Sequence, residues 1–219
     1  MRRSLKPPAD TRQQLLSAGA AVFAARGFRN ATVREISRRA GSNVAAVNYH
    51  FGGKEGLYSE VLALGHQTMM GARSGTSGRR PEVRLEQFIR NFLQRILTES
   101  PESDHAQLMF REMIEPTGAL DRVVAHFIKP MADELGDIVR ELLGPGFSLK
   151  ERQHAGLSIV SQILNYKHCR PVIARLFPKL PMDPSQIEPL TRHISAFSLA
   201  ALRGLRSSRQ RTAPRATIS

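Results

Sequence analysis

The stretch from Thr32 to Phe51 reads TVREISRRAGSNVAAVNYHF, and its pattern predicts two short helices joined by a three-residue turn. Thr32 opens the first helix in the form of a capping box, with Glu35 three residues later. Gly41-Ser42-Asn43 supplies the turn, and Asn43 suits the N-cap of the second helix. The expected core positions of the pair are Ile36, Ala40, Val47 and Phe51. This arrangement is a helix-turn-helix unit.

The charge of the chain is concentrated at its two ends. The net charge is +13 over 219 residues. Residues 1–58 carry ten Lys/Arg against three Asp/Glu, residues 59–202 carry 17 against 16, and residues 203–219 carry five against none. A basic unit of this size around a helix-turn-helix indicates nucleic-acid binding, because the second helix of such a unit can enter the major groove. Solubility alone would not require the charge to be segregated.

Helical periodicity extends along the whole chain, with no β-type alternation, and predicts an all-α fold. We expect a first helix from Asp10 to Ala25 that stops at Gly27, and a kink at Pro130 in a long helix. Beyond the helix-turn-helix, the predicted helices cover 54–69, 82–97, 104–114, 119–143, 148–166, 171–177 and 187–205, with a linker over 71–81 and a second capping box at Ser148 and Glu151.

Residues 11–62 resemble the DNA-binding domain of the TetR/AcrR family of transcriptional repressors. The matching positions are Gly27-Phe28, Thr32-Val33, Ile36, Ala40-Gly41, Tyr49-His50-Phe51, and Lys54 with Leu57. The phrase from Asn48 to Tyr58, and the segments 111–113 and 127–130, are similar to a CecR-like subgroup. The resemblance implies a three-helix DNA-binding domain over 8–58 and a helical ligand-binding and dimerisation domain over 59–205. The basic composition of residues 206–219 predicts a disordered tail.

The resemblance also implies which residues would contact DNA. Thr32, Tyr49, His50 and Lys54 match positions that grip phosphates, and Lys54 also begins a helix, where backbone N–H groups favour an anion. Arg34 matches a position that reaches backbone or base. The outward positions of the recognition helix are Asn43, Val44, Ala45, Ala46 and Asn48. Asparagine can pair with adenine and alanine can meet a thymine methyl, although Asn43 can also serve as a cap alone and the alanines as plain helix formers.

In the C-terminal region, the resemblance implies a homodimer built from the helices 148–166 and 187–205. Each has an apolar stripe, formed by Leu157, Val160, Ile163 and Leu164 on the first and by Leu190, Ile194, Phe197 and Leu202 on the second. A small-molecule pocket would lie among the middle helices, where methionine gives an adaptable lining. The expected lining is Phe88, Phe92, Met109, Phe110, Met113, Phe127 and Met131, each of which could equally be ordinary core. The helix 54–69 would connect this region to the DNA-binding domain and pivot when ligand binds.

The expected function is a repressor released from a palindromic operator in double-stranded DNA by a small-molecule inducer, controlling an efflux or transport system. An activator or a co-repressor-dependent regulator fits the same residues. No metal-ligand spacing, nucleotide-binding loop or nucleophile motif is present, so neither an enzyme nor a cofactor is expected.

Two further readings are weaker. A secretory signal peptide over the first 25 residues is disfavoured because its removal would destroy the first helix. A protein that acts on membrane surfaces is disfavoured because the basic excess surrounds the helix-turn-helix. The single Cys169 fits the reducing cytoplasm.

Overall fold

A computed structural model of the chain describes residues 8–69, 78–98, 104–181 and 183–212, and every regular element in these ranges is helical. The helices are α1 Pro8–Asn30, α2 Val33–Arg39, α3 Val44–Phe51, α4 Lys54–Met69, α5 Pro81–Thr98, α6 Asp104–Ile114, α7 Ala119–Val123, α8 Lys129–Leu143, α9 Leu149–His168, α10 Arg170–Leu176 and α11 Ile187–Thr212. A π-helical segment, Val124–Ile128, joins α7 to α8, and a 3₁₀ turn, Pro184–Gln186, precedes α11. The all-α prediction is confirmed. Residues 71–77 of the predicted linker lie outside the described residues.

The described helices form two compact units that are not consecutive in sequence. The first unit contains α1–α4, α6, α7 and the π-helical segment, and the second contains α5 and the chain from Pro130 onward. The first unit extends beyond the helix-turn-helix because α6 packs against α1 and α4, and α7 packs against α4. The functional division at residues 58 and 59 stays a prediction, since these units are defined by packing alone.

The core of the first unit holds the helix-turn-helix in place. Leu15 and Phe23 of α1 are fully buried, together with Ile36 of α2 and Leu57 of α4. The ring of Phe23 meets the ring of Tyr58 edge to face, with centroids 4.9 Å apart, which is a favourable aromatic geometry. Burial of large side chains from every helix of the unit fixes α2 and α3 against α1 and α4.

Helix α1 is longer than expected and breaks at Gly27. The glycine has φ 73° and ψ 166°, and a further helical turn follows it to Asn30, whereas the sequence predicted an end near Ala25. A side chain at this φ would be strained, and a Cβ on Gly27 would come within 2.9 Å of Nη1 of Arg111. Gly27 therefore interrupts α1 instead of ending it, and it changes the direction of the chain before α2.

The long helix in which a kink was predicted at Pro130 is divided before that proline by the π-helical segment Val124–Ile128. The N–H of Lys129 donates to the carbonyl of Val124, five residues earlier, instead of the usual four. Proline has no N–H, and its ring crowds the carbonyl four residues before it, so one wider turn accommodates it without ending the helical path.

The second unit has a core of α5, α8, α9 and α11 side chains, among them the fully buried Leu85, Ile138 and Ile163. The predicted capping box at the start of α9 is confirmed. The backbone N–H of Ser148 donates to Oε2 of Glu151, at 2.7 Å, and the backbone N–H of Glu151 donates to Oγ of Ser148. The hydrogen bonds from Ser148 hold the pKa of the Glu151 carboxyl at about 2, with a smaller contribution from Arg209.

The C-terminal end of α11 corrects the prediction of a disordered tail from residue 206. Helix α11 continues to Thr212, and residues 213–219 lie outside the described residues. The guanidinium of Arg209 stacks on the ring of Phe147 at 4.6 Å, and its Nη1 donates to Oε1 of Glu151 at 2.7 Å. These contacts fix the last turns of α11 against the start of α9, which no local sequence signal revealed.

Candidate DNA-binding surface

The geometry of the helix-turn-helix is set by three local devices. Oγ1 of Thr32 accepts from the N–H of Glu35 at 3.2 Å and caps α2. Gly41 takes φ 62° in the turn, where only glycine avoids strain. Oδ1 of Asn43 accepts from the N–H of Ala46 at 2.8 Å and caps α3. The predicted capping box of α2 is only half formed, because the Glu35 carboxylate instead pairs with Nε of Arg26 at 3.0 Å.

The two faces of α3 differ as a recognition helix requires. Val47 is fully buried and Phe51 nearly so, and both pack into the core of the first unit. On the other face, Tyr49 is 84% exposed, and Asn48 is exposed beside it. The buried face orients the helix, so the exposed side chains have a fixed direction from which to meet a groove.

The predicted DNA contacts divide into an exposed set and a half-buried set. The exposed residues are Thr32, Arg34, Asn43, Val44, Ala45, Asn48 and Tyr49. Ala46 is half-buried and packs against the core of the first unit, which makes it more a packing residue than a base contact. His50 is half-buried between the rings of Tyr49 and Phe51, at centroid distances of 5.0 Å and 6.0 Å.

Lys54 is held at the start of α4 by the end of α1. Its Nζ donates to the backbone carbonyl of Arg29 at 3.2 Å and lies 4.7 Å from the centre of the Phe28 ring. An ammonium has three donors, so this bond leaves two for a phosphate while fixing where the charge sits. The sequence suggested the phosphate role of Lys54 but gave no sign of these anchoring contacts.

Two residues that sequence reasoning passed over add to this surface. Arg38 and Arg39 are exposed in the last turn of α2, directly before the turn that leads to α3. The signal was available as a pair of adjacent basic residues on the polar side of α2. Their positive charge reinforces that of Arg34 on the same helix.

A buried carboxylate in the first unit was also missed. Glu112 is 1% exposed. One carboxylate oxygen accepts from the Tyr58 hydroxyl at 2.7 Å, and the other accepts from the N–H and hydroxyl of Thr117, at 2.7 and 2.9 Å. Burial, and then this hydrogen bond to Glu112, raise the pKa of Tyr58. The network ties α4 to the end of α6 and the turn before α7.

The predicted ligand-pocket residues fall in both compact units. In the second unit, the rings of Phe88 and Phe92 meet edge to face at 6.1 Å, and Met131 packs against the same core. In the first unit, Met109 packs against the core, Phe127 is half-buried and Met113 is 54% exposed. The side chain of Phe110 lies outside the described residues. The pocket stays a prediction.

A basic helix-turn-helix with one buried and one exposed face, carried on an all-α scaffold, defines the class of helix-turn-helix transcriptional regulators. Comparison with known proteins agrees. The profile of bacterial regulatory proteins of the tetR family matches residues 15–61, and the profile of the C-terminal domain of the HTH-type transcriptional dual regulator CecR matches residues 81–202. The chain belongs to the CecR family of TetR-type transcriptional regulators. The resemblance drawn from the sequence is thereby confirmed.

Individual relatives have the same character. The chain is 30% identical over 146 residues to the HTH-type transcriptional dual regulator CecR of Shigella flexneri, covering 61% of this chain and 65% of that protein. It is 39% identical over 62 residues to the regulator SrpR of Pseudomonas putida, covering 28% and 29%. The matched regions thus span less than two thirds of either relative.

Solved structures share the fold. A putative transcriptional regulator from Pseudomonas aeruginosa PAO1 superimposes with a TM-score of 0.63 at 22% identity, covering 93% of this chain and 97% of that one. The hemolysin II transcriptional regulator HlyIIR gives 0.56 at 22% identity, covering 86% and 99%. Family and fold are those of DNA-binding regulators rather than of enzymes. Among the described helices, none is long and apolar enough to cross a membrane.

Proposed function

We propose that the protein is a homodimeric repressor that binds a palindromic operator and is released from it by a small-molecule inducer. The observation that carries the proposal is the recognition helix α3, which buries one face while its other face is exposed beside the exposed arginines of α2, Arg34, Arg38 and Arg39. Such a regulator acts in the cytoplasm, where bacterial DNA lies. An activator or a co-repressor-dependent regulator would use the same surface, and we favour a repressor because the TetR/AcrR family is mainly one of repressors.

The exposed residues of the helix-turn-helix would divide between phosphate and base contacts. Thr32 and Tyr49 lie on its exposed surface and would contact phosphates, as would His50 and Lys54, and Arg34 would reach either the backbone or a base. Asn48 would read a base edge, since an amide can pair with adenine through two hydrogen bonds. The side-chain oxygen of Asn43 accepts the capping hydrogen bond from the N–H of Ala46, which leaves the side-chain NH₂ group for DNA.

We expect Asn48→Ala to relax the preference for one base pair in each half-site, at a cost of about 1–3 kcal/mol for the preferred duplex. The measurement is the affinity of the full chain for the operator and for duplexes altered at single positions. Asn165→Ala, which changes an exposed asparagine in α9, is the matched control and should leave the preference intact. A uniform loss on all duplexes would instead assign Asn48 to the phosphate contacts.

The dimer would form through α9 and α11, which pack against each other in the second unit. The predicted stripes divide in the structure: Ile163 and Ile194 are buried in the unit's own core, whereas Leu157 is 63% exposed and Phe197 is 60% exposed. Large apolar side chains left exposed on adjoining helices suit a second copy of the same surface, which operator symmetry also requires.

The double substitution Leu157→Glu with Phe197→Glu should convert a dimer into a monomer, because it buries four unpaired charges across a two-fold interface. Sedimentation velocity at micromolar protein measures the change. Val83→Glu, at an exposed valine on α5, is the control and should leave the dimer unchanged. A double variant that still sediments as a dimer would place the interface elsewhere.

Inducer binding would act on DNA through α4. Within the first unit, α4 carries Tyr58, whose hydroxyl is bonded to the buried Glu112 of α6, so a movement of α6 would be transmitted to α4. A ligand can release DNA only if it prefers the arrangement in which the recognition helices no longer match the operator. The regulated genes would encode an efflux or transport system, as the family resemblance suggests.

A further inference from the structure

The C-terminal end of α11 is strongly basic and lies outside the proposed helix-turn-helix surface. Residues 203–212 contain Arg203, Arg206, Arg209 and Arg211 and no acidic residue. The segment is helical throughout, so these four side chains lie within about 12 Å along the helix axis at 1.5 Å per residue.

One of these four arginines anchors the helix end, and the other three are exposed to solvent. Arg209 is held by the Phe147 ring and the Glu151 carboxylate. All three of the others are exposed. Arg211 donates to the hydroxyl of Ser208 at 3.1 Å, and within the described part of the chain no carboxylate pairs with Arg203, Arg206 or Arg211. The anchor thus fixes a helix end that carries three uncompensated guanidinium groups.

Fold stability does not account for this charge pattern. Cations in the last turn of a helix are favoured by the helix dipole, but the effect falls off within one turn, and Arg203 and Arg206 lie before it. Like charges three residues apart, as in Arg203 and Arg206, repel each other. The repulsion within this cluster decreases when a polyanion binds to it.

The chemistry of the segment selects the polyanion. Leu205 is the one large apolar residue in 203–212, so the segment lacks the apolar face that a membrane-surface helix inserts into lipid. All four cations are arginine, whose planar fork matches phosphate oxygens in pairs. We infer that the exposed arginines Arg203, Arg206 and Arg211 form a second, sequence-independent contact surface for the phosphate backbone of DNA, separate from the helix-turn-helix.

The test compares two triple variants of the full chain on a random-sequence 40-base-pair duplex, titrated with salt. The first is Arg203→Gln, Arg206→Gln and Arg211→Gln. The second is Arg122→Gln, Arg175→Gln and Arg192→Gln, which changes the net charge equally at three exposed arginines elsewhere. Each phosphate contact contributes about 0.9 to the slope of log affinity against log salt. The first variant should therefore lose up to about 2.7 of slope per chain, and the second should lose almost none.

The same experiment distinguishes this surface from the helix-turn-helix. The first variant should bind operator and random duplex more weakly by the same factor, so the ratio of the two affinities should stay unchanged. If the helix-turn-helix did not recognise an operator, the unmodified protein would itself bind all duplexes equally, and this outcome is distinguishable from a loss of salt slope in the variant. A triple replacement by lysine, with helicity checked by circular dichroism, should keep most of the slope. Equal losses in both glutamine variants, or no loss in the first, would overturn the inference. So would binding to phosphatidylglycerol vesicles that the first variant loses while its DNA slope stays intact.

Discussion

Raising the salt concentration from 50 to 200 mM is expected to weaken the binding of the dimer to its operator by about 10³–10⁵-fold. The reason is that six to ten phosphates would be neutralised per dimer, and each releases counterions into the solution. The exposed arginines of α2 and the lysine at the start of α4 provide the cations for these contacts. Fluorescence anisotropy with an end-labelled duplex, repeated at four or five salt concentrations, measures the slope.

Single substitutions then assign the contacts. Tyr49→Phe removes a neutral hydroxyl from a side chain that is 84% exposed, so it should weaken binding to all duplexes about equally and leave the salt slope and the fold unaffected. Lys54→Ala removes a cation, so it should weaken all duplexes and also lower the slope by about 0.9 per chain. The thermal stability of this variant must be measured as well, because Lys54 also donates a hydrogen bond to the carbonyl of Arg29. Tyr166→Phe, at a half-buried tyrosine of α9, is the control and should leave binding unchanged. If neither Tyr49→Phe nor Lys54→Ala weakens binding, the phosphate assignment fails.

Glu112→Ala is expected to destabilise the protein by about 3 kcal/mol or more. The substitution leaves the buried Tyr58 hydroxyl and the half-buried Thr117 N–H without their acceptor, and a fully buried group left in this way costs about 1–3 kcal/mol. The cavity left by the side chain adds to the loss. Urea unfolding of the full chain, followed by circular dichroism, measures the change.

The controls for Glu112 separate burial from charge. Glu115→Ala removes an exposed carboxylate three residues later and should change stability by less than about 0.5 kcal/mol. Tyr58→Phe leaves one oxygen of the buried Glu112 carboxylate without its donor and should cost about 1–3 kcal/mol. Equal stabilities for Glu112→Ala and Glu115→Ala would show that the buried network does not hold α4 to α6.

The helix-turn-helix could be predicted from sequence because its determinants are local. Thr32 and Asn43 cap the helices that follow them, and Gly41 and Gly52 take the left-handed conformations that end α2 and α3. Each of these choices depends on a few neighbouring residues, so the bounds of both helices were predicted to within about one residue. The periodic apolar positions, such as Ile36, then identified the buried face.

The features that sequence did not predict depend on contacts between distant residues. Helix α11 was expected to end at Leu205 because no sequence signal shows that Arg209 stacks on Phe147, more than 60 positions earlier. Glu112 was assigned no role because a glutamate is rarely buried unless its oxygens are satisfied, and its partner Tyr58 lies in another helix. Pairing of this kind is decided by packing, which a single sequence does not display.

If two copies of α3 read a symmetric DNA site, selection of bound duplexes from a random pool by the full chain shows it most directly. We expect an enriched palindrome whose half-sites are centred about one helical turn apart, roughly 10–10.5 base pairs, or a multiple of it. A footprint of the helix-turn-helix on each half-site would accompany it. A pool that yields no enriched sequence, or a single half-site bound as tightly as the palindrome, would contradict recognition by a dimer.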